Sequence, residues 1–377
     1  MTTRAYIYLF NNQPTFLRHR YAELDLFRFI AAMMVLLYHF TASGVGNTMH
    51  ADRYNLIATN SLFPTLTEAT RFGFLGVNLF FMISGFIIFA SASSRSAVNF
   101  AVNRAIRLYP TYWLSILFTL AVLYGFLGTN FSLPLKDIIL NLTMIQPYLG
   151  VGHLDPVYWT LVVELHFYFL VFFLLLANQI KAWRFWLTLW LVMSWAYVLT
   201  GQPFFYAYLF DAQYAGYFIA GILFCTHYKQ RWDYWSLVML CGAFLLCLYS
   251  LPQQVALYNA GEASISMIIT GDLIITGLFA AFALFSSGRV TLSSHPTLIL
   301  LGAMTYPLYL THHQFGRYLI DRVAPMIGSH ASVILAIVLS LAIAYIFVII
   351  IDRNITPALK TLSGKLFTLK PTRKEAI

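Results

Sequence analysis

The feature that most constrains this chain is a recurring length: apolar runs close to 20 residues long follow one another from residue 24 to residue 351, separated by short polar segments. About 20 apolar residues is what an α-helix needs to cross the hydrocarbon of a bilayer. Ten runs can be marked, at 24–43, 72–91, 111–128, 157–177, 185–200, 204–226, 234–250, 264–286, 298–316 and 331–351. Sixty per cent of the 377 residues are hydrophobic and only 10% charged, too few polar groups to coat a soluble domain of this size. The expected fold is all-α, a polytopic membrane protein of about ten transmembrane helices. Residues 1–22 read as a basic arm, 23–352 as the transmembrane domain and 353–377 as a basic tail suited to anionic headgroups.

The net charge of +9 follows the loops between the runs. With the N-terminus in the cytoplasm, 17 of the 23 Lys and Arg fall in cytoplasmic segments and five outside, which predicts that both termini are cytoplasmic. No stretch interleaves basic and aromatic residues as a nucleic-acid surface would, so no nucleic-acid partner is expected. Cys225, Cys241 and Cys247 lie in or beside apolar runs without CxxC or His spacing; they read as packing residues, and no metal site is expected. The first run is longer than a signal-peptide core and lacks a small-residue cleavage site, which predicts a retained helix. Residues 92–110 read as an amphipathic segment on the cytoplasmic face, with Pro110 opening the third helix. The connections at 44–71 and 129–156 are the longest on the outer side and have room for a polar substrate. Asn141-Leu-Thr143 has the form of a glycosylation sequon.

Ionisable groups inside hydrocarbon cost about 2.5–3.5 kcal/mol each on insertion scales, so each needs a reason. Eleven residues separate Arg28 from His39 in "LDLFRFIAAMMVLLYHF". At 100° per residue that spacing places both on one helix face, about 16 Å apart. Asp25 is one turn before Arg28 and suits an ion pair with it. In "VYWTLVVELHFYFLVFF", Glu164 falls at a depth comparable to His39, and "YPLYLTHHQF" brings His312 and His313 to the same layer. A carboxylate beside an imidazole fixes its tautomer and stabilises the imidazolium, as a general base requires; an inter-helix hydrogen-bond clamp is the structural alternative. Asp211 and Asp272 suit helix ties or a polar cavity. Ser84-Gly85 suits close helix contact or a thin ligand. Arg104 and Arg107, one turn apart, suit positive-inside anchoring or bidentate phosphate binding.

Taken together and in order, "ELDLFRFIAAMMVLLYH", "GVNLFFMISGF", "RAIRLYPTYW", "YWTLVVELHFY" and "YPLYLTHH" resemble the acyltransferase 3 family of integral membrane acyltransferases, over about residues 20–350. The resemblance implies transfer of an acyl group, usually acetyl, from cytoplasmic acyl-CoA to a hydroxyl of an extracytoplasmic glycan such as O-antigen or exopolysaccharide. The setting it implies is the bacterial inner membrane. Acyl-CoA would be a co-substrate, and no tightly bound cofactor is implied. His39 takes the family's catalytic histidine position and Arg28 its arginine partner. Ser84, Gly85 and Phe86 match its SGF motif, Arg104 and Arg107 its CoA-handling basic pair, and Glu164 its acidic position. Some relatives carry a fused extracytoplasmic esterase-like domain, for which 377 residues leave no room. The expectation is that this chain finishes the transfer alone or hands the acyl group to a separate protein.

The mechanism this suggests runs along one lumen. Arg104, Arg107 and Arg28 hold the CoA phosphates, the pantetheine arm passes Ser84 and Gly85, and His39, oriented by Glu164, takes the proton of the attacking hydroxyl. A covalent acyl-histidine is the competing route. His312 would donate to the oxyanion or position the sugar. A different class of reading, a proton-coupled secondary transporter, would use His39, Glu164, Asp211 and Asp272 as a relay. It leaves the paired arginines unexplained, and the two halves of the chain show no repeat. A non-catalytic scaffold, in which His39 is dispensable, is the third reading.

Overall fold

The computed structural model describes residues 21–43, 59–92, 95–128, 131–201, 206, 210–259, 261–293 and 295–366. Nearly all of the basic arm, residues 44–58 of the first long connection, and the tail beyond 366 lie outside the described residues. In lipid every backbone amide must find its partner within the chain, and a helix does this locally. Every regular element among the described residues is accordingly helical. In chain order these are α1 (Ala22–Thr41), the short α2 (Thr59–Leu62) and α3 (Pro64–Thr70), α4 (Leu75–Ala92), α5 (Ala97–Leu127), α6 (Leu135–Asn141), α7 (Trp159–Leu176), α8 (Trp183–Thr200), α9 (Ala212–Thr226), α10 (Tyr234–Tyr258), α11 (Ile265–Ser286), α12 (Pro296–Ile327), α13 (Ser329–Ile350) and α14 (Thr356–Leu366).

Seven of the expected spans, those containing α1, α4, α5, α7, α10, α11 and α13, are long and apolar enough to cross a membrane. The other three differ from expectation among the described residues. α9 has 15 residues, about 22 Å of helix, shorter than a bilayer core. α8 and α12, with 18 and 32 residues, fall short on apolar character. In α12 the polar residues point inward, because His312, His313, Gln314 and Arg317 are all buried.

Helices α1, α4, α9 and α12 form the centre, with α4 packed on α9 and α1 on both α4 and α12. The apolar stretch ending in α4 is 78% buried and that of α11 only 28%, so α11 lies at the rim. Its Ile265, Ile269 and Leu273 are exposed at one-turn spacing, a stripe suited to lipid tails.

The third helix departs from the sequence reading. Instead of a surface segment at 92–110 followed by a helix from Pro110, a single helix of 31 residues runs from Ala97 to Leu127 with Pro110 inside it. Ser96 caps its start by accepting from the Asn99 amide at 3.3 Å. Proline removes one amide, and membrane helices accommodate it because neighbours resatisfy the freed groups. Arg104 and Arg107 therefore sit on the same rigid rod as the membrane-spanning part.

Gly85 resolves its ambiguity in favour of packing. A Cβ built on it would lie 2.2 Å from the Phe218 carbonyl oxygen, and one on Gly221 would lie 2.1 Å from that of Met82. α4 and α9 cross at these two glycines with their backbones touching, so of the two readings, helix contact and a thin ligand, the space beside Gly85 is filled by the helix. Gly85→Ala is expected to cost about 1–3 kcal/mol by overpacking. A lowered thermal-inactivation midpoint of the purified protein checks this, and an unchanged midpoint contradicts it.

Candidate active site

The polar positions read from α1, α7 and α12, namely Arg28, His39, Glu164, His312 and His313, separate into two clusters. The first is built on His39, in the last turn of α1, where the half-buried ring meets two histidines of α12. His39 Nδ1 lies 2.9 Å from His312 Nε2, and the His313 ring stands edge-on to His39 with centroids 4.6 Å apart. His312 Nδ1 lies 2.8 Å from the Tyr309 carbonyl oxygen and 3.1 Å from that of Leu308. Carbonyls only accept, so Nδ1 of His312 carries its proton and the neutral ring's Nε2 is an acceptor. His39 Nδ1–H must then be the donor between the rings. The neutral His39 imidazole is thereby left with its lone pair on Nε2, the nitrogen a general base uses.

The carboxylate beside these imidazoles is Asp155. Its Oδ1 lies 3.2 Å from His313 Nδ1 and accepts from the Val157 amide at 3.1 Å, while Oδ2 accepts from the Gln314 amide at 3.3 Å. Asp155 is fully buried. Burial pushes its carboxyl up to about 6, opposed by the Val157 and Gln314 amides and by the charges of His312 and Arg317. The neighbouring His153 is lowered to about 4 by burial. The loop that delivers Asp155 is organised by Asn141, at the end of α6. Its amide donates to Asp137 O and Gly152 O, and its carbonyl accepts from the Leu154 amide. The side chain of the apparent sequon is thus buried and committed to the fold.

Glu164 sits in the second cluster, away from the partner expected for it. Its Oε1 accepts from Ser84 Oγ at 2.7 Å and from Tyr168 OH at 2.6 Å, and the carboxylate lies within electrostatic reach of Arg28 and Arg104. Equal depth on two helices does not make two side chains face each other; α7 turns Glu164 towards α4 and α5. Arg28 pairs with Asp25 at 3.4 Å, as its spacing suggested, and feels the charge of Arg107. Arg104 is buried while Arg107 is exposed. The Arg104 guanidinium lies 5.8 Å from the Phe100 ring centre and 6.0 Å from that of Tyr168, yet its Nε and Nη1 have no hydrogen-bond partner. A buried, incompletely paired guanidinium is costly, and an anionic ligand is the natural complement.

The remaining acids stand apart from both clusters. Asp211 Oδ2 lies 2.7 Å from His166 Nδ1, and Tyr148 OH meets the other nitrogen of that ring. Asp272 lies on the peripheral α11 with one buried, unpaired oxygen. His39, Glu164, Asp211 and Asp272 each have different neighbours and do not line up as the relay a transporter would need. Tyr168 and Asp155 escaped the sequence reading. Tyr168 was within reach, being one turn beyond Glu164; Asp155 was not, since Asp before Pro reads simply as the start of a turn.

Among the described residues, α1 therefore carries an imidazole cluster at one end and guanidinium groups at the other, within a set of helices of which seven are long and apolar enough to cross a membrane. The model of the acyltransferase domain family matches residues 21–349, and the chain belongs to that family of acyltransferases. Two curated relatives are similar over parts of their length. Nodulation protein 10 of Rhizobium leguminosarum bv. viciae is 32% identical over 183 residues, 44% of this chain and 45% of the relative. The exopolysaccharide production protein ExoZ of Rhizobium meliloti (strain 1021) is 35% identical over 102 residues, 26% of this chain and 32% of the relative. Each match thus spans less than half of the relative's length. No solved structure matches the chain.

Proposed function

We propose that this protein is a membrane O-acyltransferase that moves an acyl group, acetyl in the first instance, from cytoplasmic acyl-CoA to a hydroxyl of an extracytoplasmic carbohydrate. Membership of the acyltransferase family supports the chemistry, and the similarity to a protein named for exopolysaccharide production supports a glycan acceptor. The observation that carries the reading is the arrangement along α1, with Arg28 among the arginines and Glu164 at one end and His39 among the imidazoles at the other. On this reading both termini are cytoplasmic, α8, α9 and α12 complete the bundle, and the arginine end faces the cytoplasm of a bacterial inner membrane.

Arg104 and Arg107 then hold the phosphates of CoA, Glu164 and Ser84 line the way between the clusters, and the thioester reaches His39. The Nε2 lone pair takes the proton of the acceptor hydroxyl as its oxygen attacks the thioester carbonyl. A C–O bond forms, the C–S bond breaks, and the departing thiolate recovers the proton from His39. His312 holds the tautomer that makes this possible. The product is an ester on the glycan, released into the outer compartment directly or through a separate acyl-accepting protein.

The test compares envelope glycans from cells carrying the wild-type chain with those from cells lacking it. Base-labile acyl esters present only with the chain are the expected result. Identical glycan acylation in both would oppose the reading.

A further inference from the structure

Asp155 is the group the family resemblance did not supply. It reaches the imidazole layer from a loop, not from a helix, and its carboxylate has no solvent. A structural role as cap of the turn at Pro156–Tyr158 accounts for Oδ1 and the Val157 amide. That cap needs one acceptor oxygen, not a charge; the second oxygen accepts from the Gln314 amide, a contact an Asn would lose, and Asp155→Glu controls for it. Burying a carboxylate is expensive unless other charges or dipoles compensate it. The groups facing it are His312, His313, Arg317 and Tyr309 from α12, and His153 and Tyr158 from its own loop.

The hydrogen-bond directions give the charge a use. When His39 takes a proton at Nε2, its Nδ1–H already points at the lone pair of His312 Nε2, 2.9 Å away. Moving the Nδ1 proton across that bond leaves His39 neutral and makes His312 the imidazolium, whose Nδ1–H still donates to the Leu308 and Tyr309 carbonyls. One proton thus spreads over two rings, and the backbone carbonyls block any further transfer. The pair needs a counter-charge only while it holds that proton, and Asp155 lies within electrostatic reach of His312 and in contact with His313.

We infer that Asp155 is a positioning residue for the transfer reaction: its charge, acting through His313 and His312, stabilises a single proton shared by the His39–His312 imidazole pair. The inference rests on His39 being the base, and the test separates the two. Release of CoA thiol from acetyl-CoA is followed against pH for the purified wild type, Asp155→Asn and His39→Ala, with envelope oligosaccharide as acceptor. Asp155→Asn is expected to lower kcat about 10- to 100-fold, with the KM for acetyl-CoA unchanged. Its acid limb is expected to move down by about half a pH unit or more, because the imidazolium loses a negative neighbour. Asp155→Glu, which restores the charge, should return the limb towards wild type.

Equal losses at every pH with an unmoved limb, or a wild-type profile, overturn the inference while an inactive His39→Ala leaves the base assignment standing. Activity surviving in His39→Ala overturns both. If Asp155→Asn does not accumulate, His313→Asn breaks the same link and is held to the same two readouts, a lowered kcat and a displaced acid limb.

Discussion

Replacing His39 by Ala is expected to lower acyl transfer by about 10²- to 10⁴-fold, the usual contribution of a positioned general base, without weakening acyl-CoA binding. The reason is spatial. His39 shares a hydrogen bond with His312 and touches His313, whereas Arg28, which feels the charge of Arg107, lies about 16 Å away along α1, eleven residues at 1.5 Å each. His39→Gln is the sharper comparison, because it preserves much of the volume and a donor for His312 but lacks a basic nitrogen. Transfer measured with labelled acetyl-CoA, beside equilibrium binding of the same ligand, separates loss of chemistry from loss of the site. Wild-type turnover in either variant would remove the imidazole from the reaction.

Arg104→Gln is expected to do the opposite, raising the KM for acyl-CoA about 10- to 100-fold, the equivalent of about 1.5–3 kcal/mol for hydrogen bonds to a charged group. Its Nε and Nη1 have no hydrogen-bond partner, so losing their N–H groups strands no acceptor. Thermal stability should therefore hold while affinity falls, which a purely structural arginine would not allow. Arg104→Lys should recover little, since an ammonium cannot reproduce the planar fork. Arg107→Gln should have a smaller effect because Arg107 is exposed and its charge is screened by solvent. Steady-state kinetics against acetyl-CoA concentration decide the matter; an unchanged KM in Arg104→Gln contradicts the assignment.

Much of this was legible from residue order, and the rest was not for identifiable reasons. Apolar length marked most of the helices, because a span must satisfy its backbone alone and shows as an unbroken run. Of the run through 204–226, the described helix covers Ala212 onward, and Asp211, at a positive φ of 45°, precedes it; residues 204, 205 and 207–209 lie outside the described residues. Pro110 misled, since proline suits a helix start yet is accommodated inside α5. Arg28 and His39 do lie on one unbroken helix, because a continuous apolar run with helical periodicity is legible within a single element. Direction between helices is a different matter. Glu164 and His39 matched in depth, but the rotation of α7 about its axis is set by tertiary packing, and it sends the carboxylate to Ser84 and Tyr168. Asp155 reaches the histidines through a loop folded around Asn141, and nothing in local pattern announces such a contact.

The central claim is that the acyl group enters at the arginine end of α1 and leaves at the histidine end. Proteoliposomes offer the most direct measurement, with labelled acetyl-CoA sealed in the lumen and a membrane-impermeant envelope oligosaccharide placed either outside or in the lumen beside it. The account predicts labelled oligosaccharide when donor and acceptor are on opposite sides, and none when they share a compartment. Label reaching the oligosaccharide only when the two share a compartment would contradict it.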